Sequence, residues 1–137
     1  MRSAVFLLSA CALSAYGASL GRVVPLTTGG ASDLVLDEAR SRVYLVGSIL
    51  NQLQVYSIQK QTIQSTVATD NTPLAAALSR DGNSLYVACY DSSVLDVIDL
   101  NALTVTTQVK LPGKPEGVAV GGDGPGRHSV DRKSGDA

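Results

Sequence analysis

Hydrophobic residues in this chain fall in short clusters broken by turn-forming residues at intervals of about eight to twelve positions, the spacing of strands and turns. The stretch "LYVACYDSSVLDVIDL", from Leu85 to Leu100, shows the pattern. Its two apolar runs are split by Asp91-Ser92-Ser93, and Asp96 and Asp99 interrupt the second. A membrane span would not carry three aspartates, and an amphipathic helix would repeat its apolar positions every 3.6 residues. Two adjacent β-strands fit. The same punctuation predicts strands over Leu74–Leu78, Ser84–Tyr90, Val94–Leu100 and Thr104–Leu111. Turns follow at Arg80-Asp81-Gly82-Asn83, Asp91-Ser92-Ser93 and Asn101-Ala102-Leu103, and Pro112-Gly113-Lys114-Pro115 leads out of the sheet. With no helical stretch between strands, an antiparallel meander is expected. "LYVACY" is apolar on both of its alternating faces, so both sides of this sheet must be covered. Asp96 and Asp99 are expected where the third strand passes solvent or a loop, and the Thr-rich fourth strand at a wetter outer edge.

The chain repeats itself at an ungapped offset of 42 residues. Arg42–Pro73 aligns with Ser84–Pro115: Tyr44 with Tyr86, Val55 with Val97, Ile63 with Val105, Val67 with Val109, Pro73 with Pro115. A third copy begins in the same register, with Ala76 and Leu78 over Val118 and Val120 and Asp81-Gly82 over Asp123-Gly124. Repeats of this length are supersecondary units that bury their faces on one another. The small first strand "LAAAL" (Ala75, Ala76, Ala77) suits a place where such units converge on an axis, so radial stacking is expected.

The run Pro73, Ala77, Ser79, Asp81-Gly82, Leu85-Tyr86-Val87-Ala88, followed by Val94, Val97-Ile98-Asp99-Leu100 and a Thr/Val-rich strand, resembles the YVTN-type β-propeller repeat. The resemblance covers roughly residues 31 to 124. It implies an all-β fold of antiparallel four-stranded propeller blades, here about two blades plus a partial third. It also implies an exported or surface-associated protein whose wider superfamily includes lactonases and an amine dehydrogenase subunit. Two departures stand out: "DEARSR" replaces the Asp-Gly turn in the first copy, and Cys89 and Gly47 occupy the position where such repeats carry Asn.

The implied organisation is a signal peptide over 1–17, a linker or stray outer strand over 18–30, repeat 1 over 31–73 and repeat 2 over 74–115. The start of repeat 3 over 116–124 and a degenerate tail over 125–137 complete it. In the signal peptide, Arg2 is the basic n-region, Ala4–Leu13 the apolar h-region and Ala15-Tyr16-Gly17 the cleavage pattern. The h-region reaches only about 15 Å as a helix, too short for a transmembrane anchor. Leu8-Ser9-Ala10-Cys11 also resembles a lipobox, which would make Cys11 a lipid-bearing N-terminus instead. Two blades and a fraction fall short of the four to eight of a closed propeller. A fragment, a degraded domain or an assembly of several chains is expected, because open blade faces and edges invite self-association.

Composition narrows the partners. Eleven Lys and Arg against 12 Asp and Glu leave a net charge of -1, and aromatics make up 4%. Neither a nucleic-acid footprint nor a stacking platform is present. The sole histidine, His128, lies in the polar tail. Asp91, Asp96 and Asp99 do not match a calcium-loop spacing and read as turn caps and exposed strand positions. Cys89 reads as a small buried strand residue, and Tyr44 and Tyr86 as core packing. The glycines at 121, 122, 124 and 126 lack the G-K-[ST] of a phosphate loop. No catalytic, cofactor-binding or metal residue is assigned and no cofactor is expected. The expected function is a non-enzymatic binding or scaffold module, its partner an unknown protein or small molecule. The alternative is part or remnant of a lactonase-like or quinoprotein-dehydrogenase-like propeller enzyme.

Overall fold

The computed structural model describes residues 21, 23–26 and 29–122. Eight strands follow in order: β1 (Asp33–Asp37), β2 (Arg42–Gly47), β3 (Gln52–Ser57), β4 (Thr62–Ala68), β5 (Pro73–Leu78), β6 (Ser84–Cys89), β7 (Val94–Asp99) and β8 (Thr104–Lys110). They form two four-stranded antiparallel meanders, β1-β2-β3-β4 and β5-β6-β7-β8. The fold is all-β and has the form of propeller blades. In the second sheet β5 starts one residue before the expected strand, and β6, β7 and β8 each end one residue early.

The repeat extends below the level of sequence. A register shift at Val55/Tyr56 between β3 and β4 recurs at Val97/Ile98 between β7 and β8. Such bulges sharpen strand twist and bend. Left-handed residues recur as well: Asn51 and Ser93 close one pair of hairpins at φ 51° and 53°, and Gln61 and Leu103 the other pair at 53° and 55°. The first turn differs between copies, as "DEARSR" implies. Ser41 is left-handed at φ 51° in the first, and Gly82, at φ 71°, takes that role in the second.

The sheets stack face to face, with non-equivalent faces meeting. Tyr44, Val46, Leu53, Val55 and Val67 share one side of the first sheet. They pack on Ala76, Leu85, Val87, Cys89 and Ile98 of the second, with Leu100 added, in a single buried cluster. Inner strands β1 and β5 come closest, which fits the small side chains of β5. The residue repeating Tyr44 is Tyr86, on the opposite side of its sheet. Tyr44 is therefore buried and Tyr86 only half-buried, because no further sheet among the described residues is stacked on that side. On the outward side of the first sheet, Val24 and Leu26 lie against Val43, Leu45 and Tyr56 around a cavity of about 310 Å³. β8 is exposed along nearly its whole length, as an outer edge should be.

One expectation is overturned. Asp96 does not meet solvent: it is 0% exposed and sits on the inward face of β7, level with Val87. A buried carboxylate needs donors, and the fold supplies them from the β4–β5 connection and from β8. Asp99 does act as a turn cap, accepting from the Asn101 and Ala102 amides at 2.8 Å each. Residues 116–122 carry no strand. The signal segment, Cys11, Asp123-Gly124 and the tail with His128 lie outside the described residues.

Candidate functional site

The antiparallel meanders bring the β2–β3 turn, the β4–β5 connection, the β6–β7 turn and the segment after β8 to one end of both blades. Short polar residues dominate there because tight left-handed turns favour them. Asn51 braces the connection between the sheets: its Nδ2 donates to Asn71 Oδ1 at 3.2 Å, and its Oδ1 accepts from the Thr72 amide at 2.8 Å. Thr72 Oγ1 donates to Asp91 Oδ2 at 2.6 Å. Asp91 also accepts from Lys114 Nζ at 3.0 Å, and that ammonium lies 4.8 Å from the centre of the Tyr90 ring. Ser92 donates to Asp70 and accepts from the Asn71 amide at 2.8 Å. Asp91 is thus a tie between three segments rather than a simple turn cap.

Beneath this rim lies Asp96. Its carboxylate accepts from the Asp70 amide at 2.8 Å, Gln108 Nε2 at 2.9 Å and the Cys89 thiol at 3.5 Å. Burial, reinforced by the Asp96 charge, pushes the Cys89 thiol up to about 12, so at neutral pH it is no nucleophile. The Ser92 hydroxyl, then the Asn71 amide, holds Asp70 below the usual carboxylate range. Thr72 and then Lys114 do the same for Asp91, and Asp91 in turn raises Lys114. Carboxylates depressed in this way are weak bases, poorly suited to activating the Ser92 hydroxyl. Among the described residues no cluster of His, Cys, Asp and Glu is placed to hold a metal ion. Chemically, the arrangement holds loops in one shape.

Two apolar side chains stand beside the fixed polar rim. Ile49 is 69% exposed and Leu50 54%, both at the tip of the β2–β3 turn. An apolar projection flanked by satisfied polar groups has the make-up of a contact surface: an apolar centre within a polar border.

The opposite end of the blades is given to holding the sheets together. Tyr44 OH donates to Asp37 Oδ2 at 2.9 Å, and Arg40 bonds the same carboxylate at 3.1 Å. Arg40 then reaches across to the Gly82 carbonyl and to Asn101 Oδ1, and Arg42 to the Leu100 carbonyl. Burial acts to raise Asp37, but Tyr44 and the Arg40 amide and guanidinium outweigh it and hold it below the usual range. At the inner edge Asp33 accepts from the Ala76 amide at 2.9 Å, and Ser32 donates to the Pro73 carbonyl at 3.0 Å. Sequence reasoning missed Asp37, Arg40 and Asp70. The visible trace of the first two was "DEARSR", which stands where the second copy has its Asp-Gly turn.

No family model matches the chain, and no curated protein matches it. Solved structures do. Kuenenia stuttgartiensis hydrazine synthase superposes with a TM-score of 0.62 at 21% identity, over 72% of this chain and 28% of that one. The Myceliophteria thermophila Cps50 (Swd1) β-propeller domain gives 0.58 at 11%, over 67% and 29%. Citrobacter koseri AztD gives 0.55 at 23%, over 69% and 28%. These likenesses establish propeller-type blades. The chain spans just over a quarter of the length of the structures it matches.

Proposed function

We propose that the chain is an exported, non-enzymatic binding module of YVTN-type propeller repeats, part of a larger propeller, with the loop end of its blades as the contact surface. The observation that carries this is the exposed Ile49-Leu50 tip set against the locked Asn51, Asn71, Thr72 and Asp91 network. A pre-ordered rim loses little side-chain entropy on binding, so more of its contact energy remains as affinity. Export rests on the Arg2, Ala4–Leu13 and Ala15-Tyr16-Gly17 pattern, with periplasm or exterior as destination and a Cys11 lipoprotein as the other exported form. The propeller neighbours include an enzyme by name, hydrazine synthase, but at that identity they lend the fold alone. The enzyme alternative would draw its site from blades beyond the two described.

The test is to pan a random peptide library against the purified chain and map enriched clones by amide chemical shifts. Shifts at residues 49–51, 70–72 and 90–93, with affinity lost in Leu50→Asp, support the reading. Enriched clones that map elsewhere count against it. So does hydrolysis of a lactone by the chain that disappears when one rim residue is changed.

A further inference from the structure

Beyond the loop end, both sheets have an outward side. We propose that the outward face of the second sheet takes the outward face of the first sheet of another copy of this chain, building a head-to-tail ring of blades.

The template for this contact lies inside the molecule. The buried interface joins the Tyr44 face of the first sheet to the Leu85 face of the second. Shifted by the 42-residue repeat, its two halves become the two outward faces. On the second sheet Tyr86, Leu95, Val97 and Val109 take the places of Tyr44, Leu53, Val55 and Val67. On the first sheet Leu36, Val43, Leu45 and Tyr56 take the places of Leu78, Leu85, Val87 and Ile98. Exposure at two of these positions marks what is missing. Val109 is 43% exposed where Val67 is 6%, and Leu36 is 54% exposed where Leu78 packs against the core.

Volumes trade across the contact. Within the molecule Val35 and Ala76 meet the cluster at the inner edge; between copies their places fall to Ala77 and Leu34. A larger residue on one side answers a smaller one on the other, which conserves the packed volume. Charge is also managed. Asp33, Arg40 and Arg42, which stitch the internal seam, become Ala75, Gly82 and Ser84, and buried Asp96 becomes Gln54. The contact between copies thus buries no unpaired ion at these positions. It forgoes the internal seam's polar stitches as well, so it is weaker than that seam.

One segment occupies the path. Residues 23–26 stand one repeat before 65–68 of the outer strand β4, and Val24 and Leu26 lie on Val43, Leu45 and Tyr56. The β8 edge of an incoming copy takes that place and displaces the segment. Contacts between unlike faces close into rings when the rotation allows. Propellers close at four to eight blades, so with the two described blades of each copy as the unit the ring would hold about two to four copies.

The experiment is sedimentation velocity of the full chain across a concentration series, with Val109→Asp and Leu36→Asp as single-face variants. Both sites are solvent-exposed in the single copy, so the fold should tolerate them; circular dichroism checks that it does. The wild type should form small, closed oligomers. Each variant should associate at least tenfold more weakly. An equimolar mixture of the two should recover dimers and nothing larger, because each supplies the face the other lacks. Variants that associate like the wild type, or a mixture that stays monomeric while the wild type assembles, overturn the proposal. A wild type that stays monomeric overturns it too. Because the peptide-library result at the loop end is read separately, it stands or falls independently of this one.

Discussion

Replacing Tyr44 by Phe should test the seam that turns two sheets into one unit. The substitution removes a single oxygen from a side chain that is 0% exposed and leaves ring packing intact. What disappears is the 2.9 Å bond to Asp37, a carboxylate 1% exposed. A hydrogen bond to a charged group contributes about 1.5–3 kcal/mol. Asp37 keeps the Arg40 amide and guanidinium, each at 3.1 Å, so its charge is not stranded and a loss of about 2 kcal/mol is expected. Asp37→Ala should cost more, about 2–4 kcal/mol, because it leaves the Tyr44 hydroxyl buried without its acceptor and removes the carboxylate paired with Arg40. In the double variant the Tyr44→Phe effect should fall to about half or less, since the two groups act as a pair. Urea unfolding followed by circular dichroism at neutral pH measures all three, read as midpoint shifts at constant slope. The pH dependence has a definite sign. Asp37 is depressed in the fold, so its stabilisation is present above the unfolded carboxylate value of about 3.9 and is lost as pH falls through the lower folded value. The gap between wild type and Tyr44→Phe should therefore narrow below about pH 4. A Tyr44→Phe effect under about 0.5 kcal/mol, or one equally large with and without Asp37, would refute this account of the seam.

At the alkaline end Tyr44 ionises near 12, raised by burial and by Asp37; its contribution is complete below about pH 10 and fades as pH climbs toward 12. A near-ultraviolet absorbance titration should show a late-ionising tyrosine that is missing from Tyr44→Phe. Cys89, buried and held as a thiol, should react with a disulfide reagent only as fast as the sheets open, and at full speed in denaturant. Asp96→Leu strips acceptors from the Asp70 amide and Gln108 and should lower stability by about 2–4 kcal/mol in urea unfolding; an unchanged midpoint would remove the rim's foundation. Gly82→Ala meets nothing within 4 Å but sits at φ 71°, so it should lose about 1 kcal/mol from backbone strain alone.

The repeat, the strand order and the turn positions were legible in the sequence because they follow from local periodicity: alternating apolar residues, Asp-Gly and Asn-rich punctuation, and one 42-residue interval. Hydropathy asked for cover on both sides of β6, and among the described residues only the Leu85 side receives a sheet. It could not tell which residues would do the covering, since Tyr44 and Tyr86 are the same residue in the same frame and differ only in what lies across from them. Asp96 shows the limit most sharply. An aspartate in a strand reads as solvent-facing, and only the approach of the Asp70 amide and Gln108, 26 and 12 residues away in the chain, makes its burial tolerable. The Asp37–Tyr44–Arg40 clasp left only the trace "DEARSR" for the same reason: half of its partners, Gly82, Asn83 and Asn101, belong to the next blade. Local pattern determined what each strand is. Contact between distant segments decided which polar groups could be buried, and with them which faces are closed and which remain open.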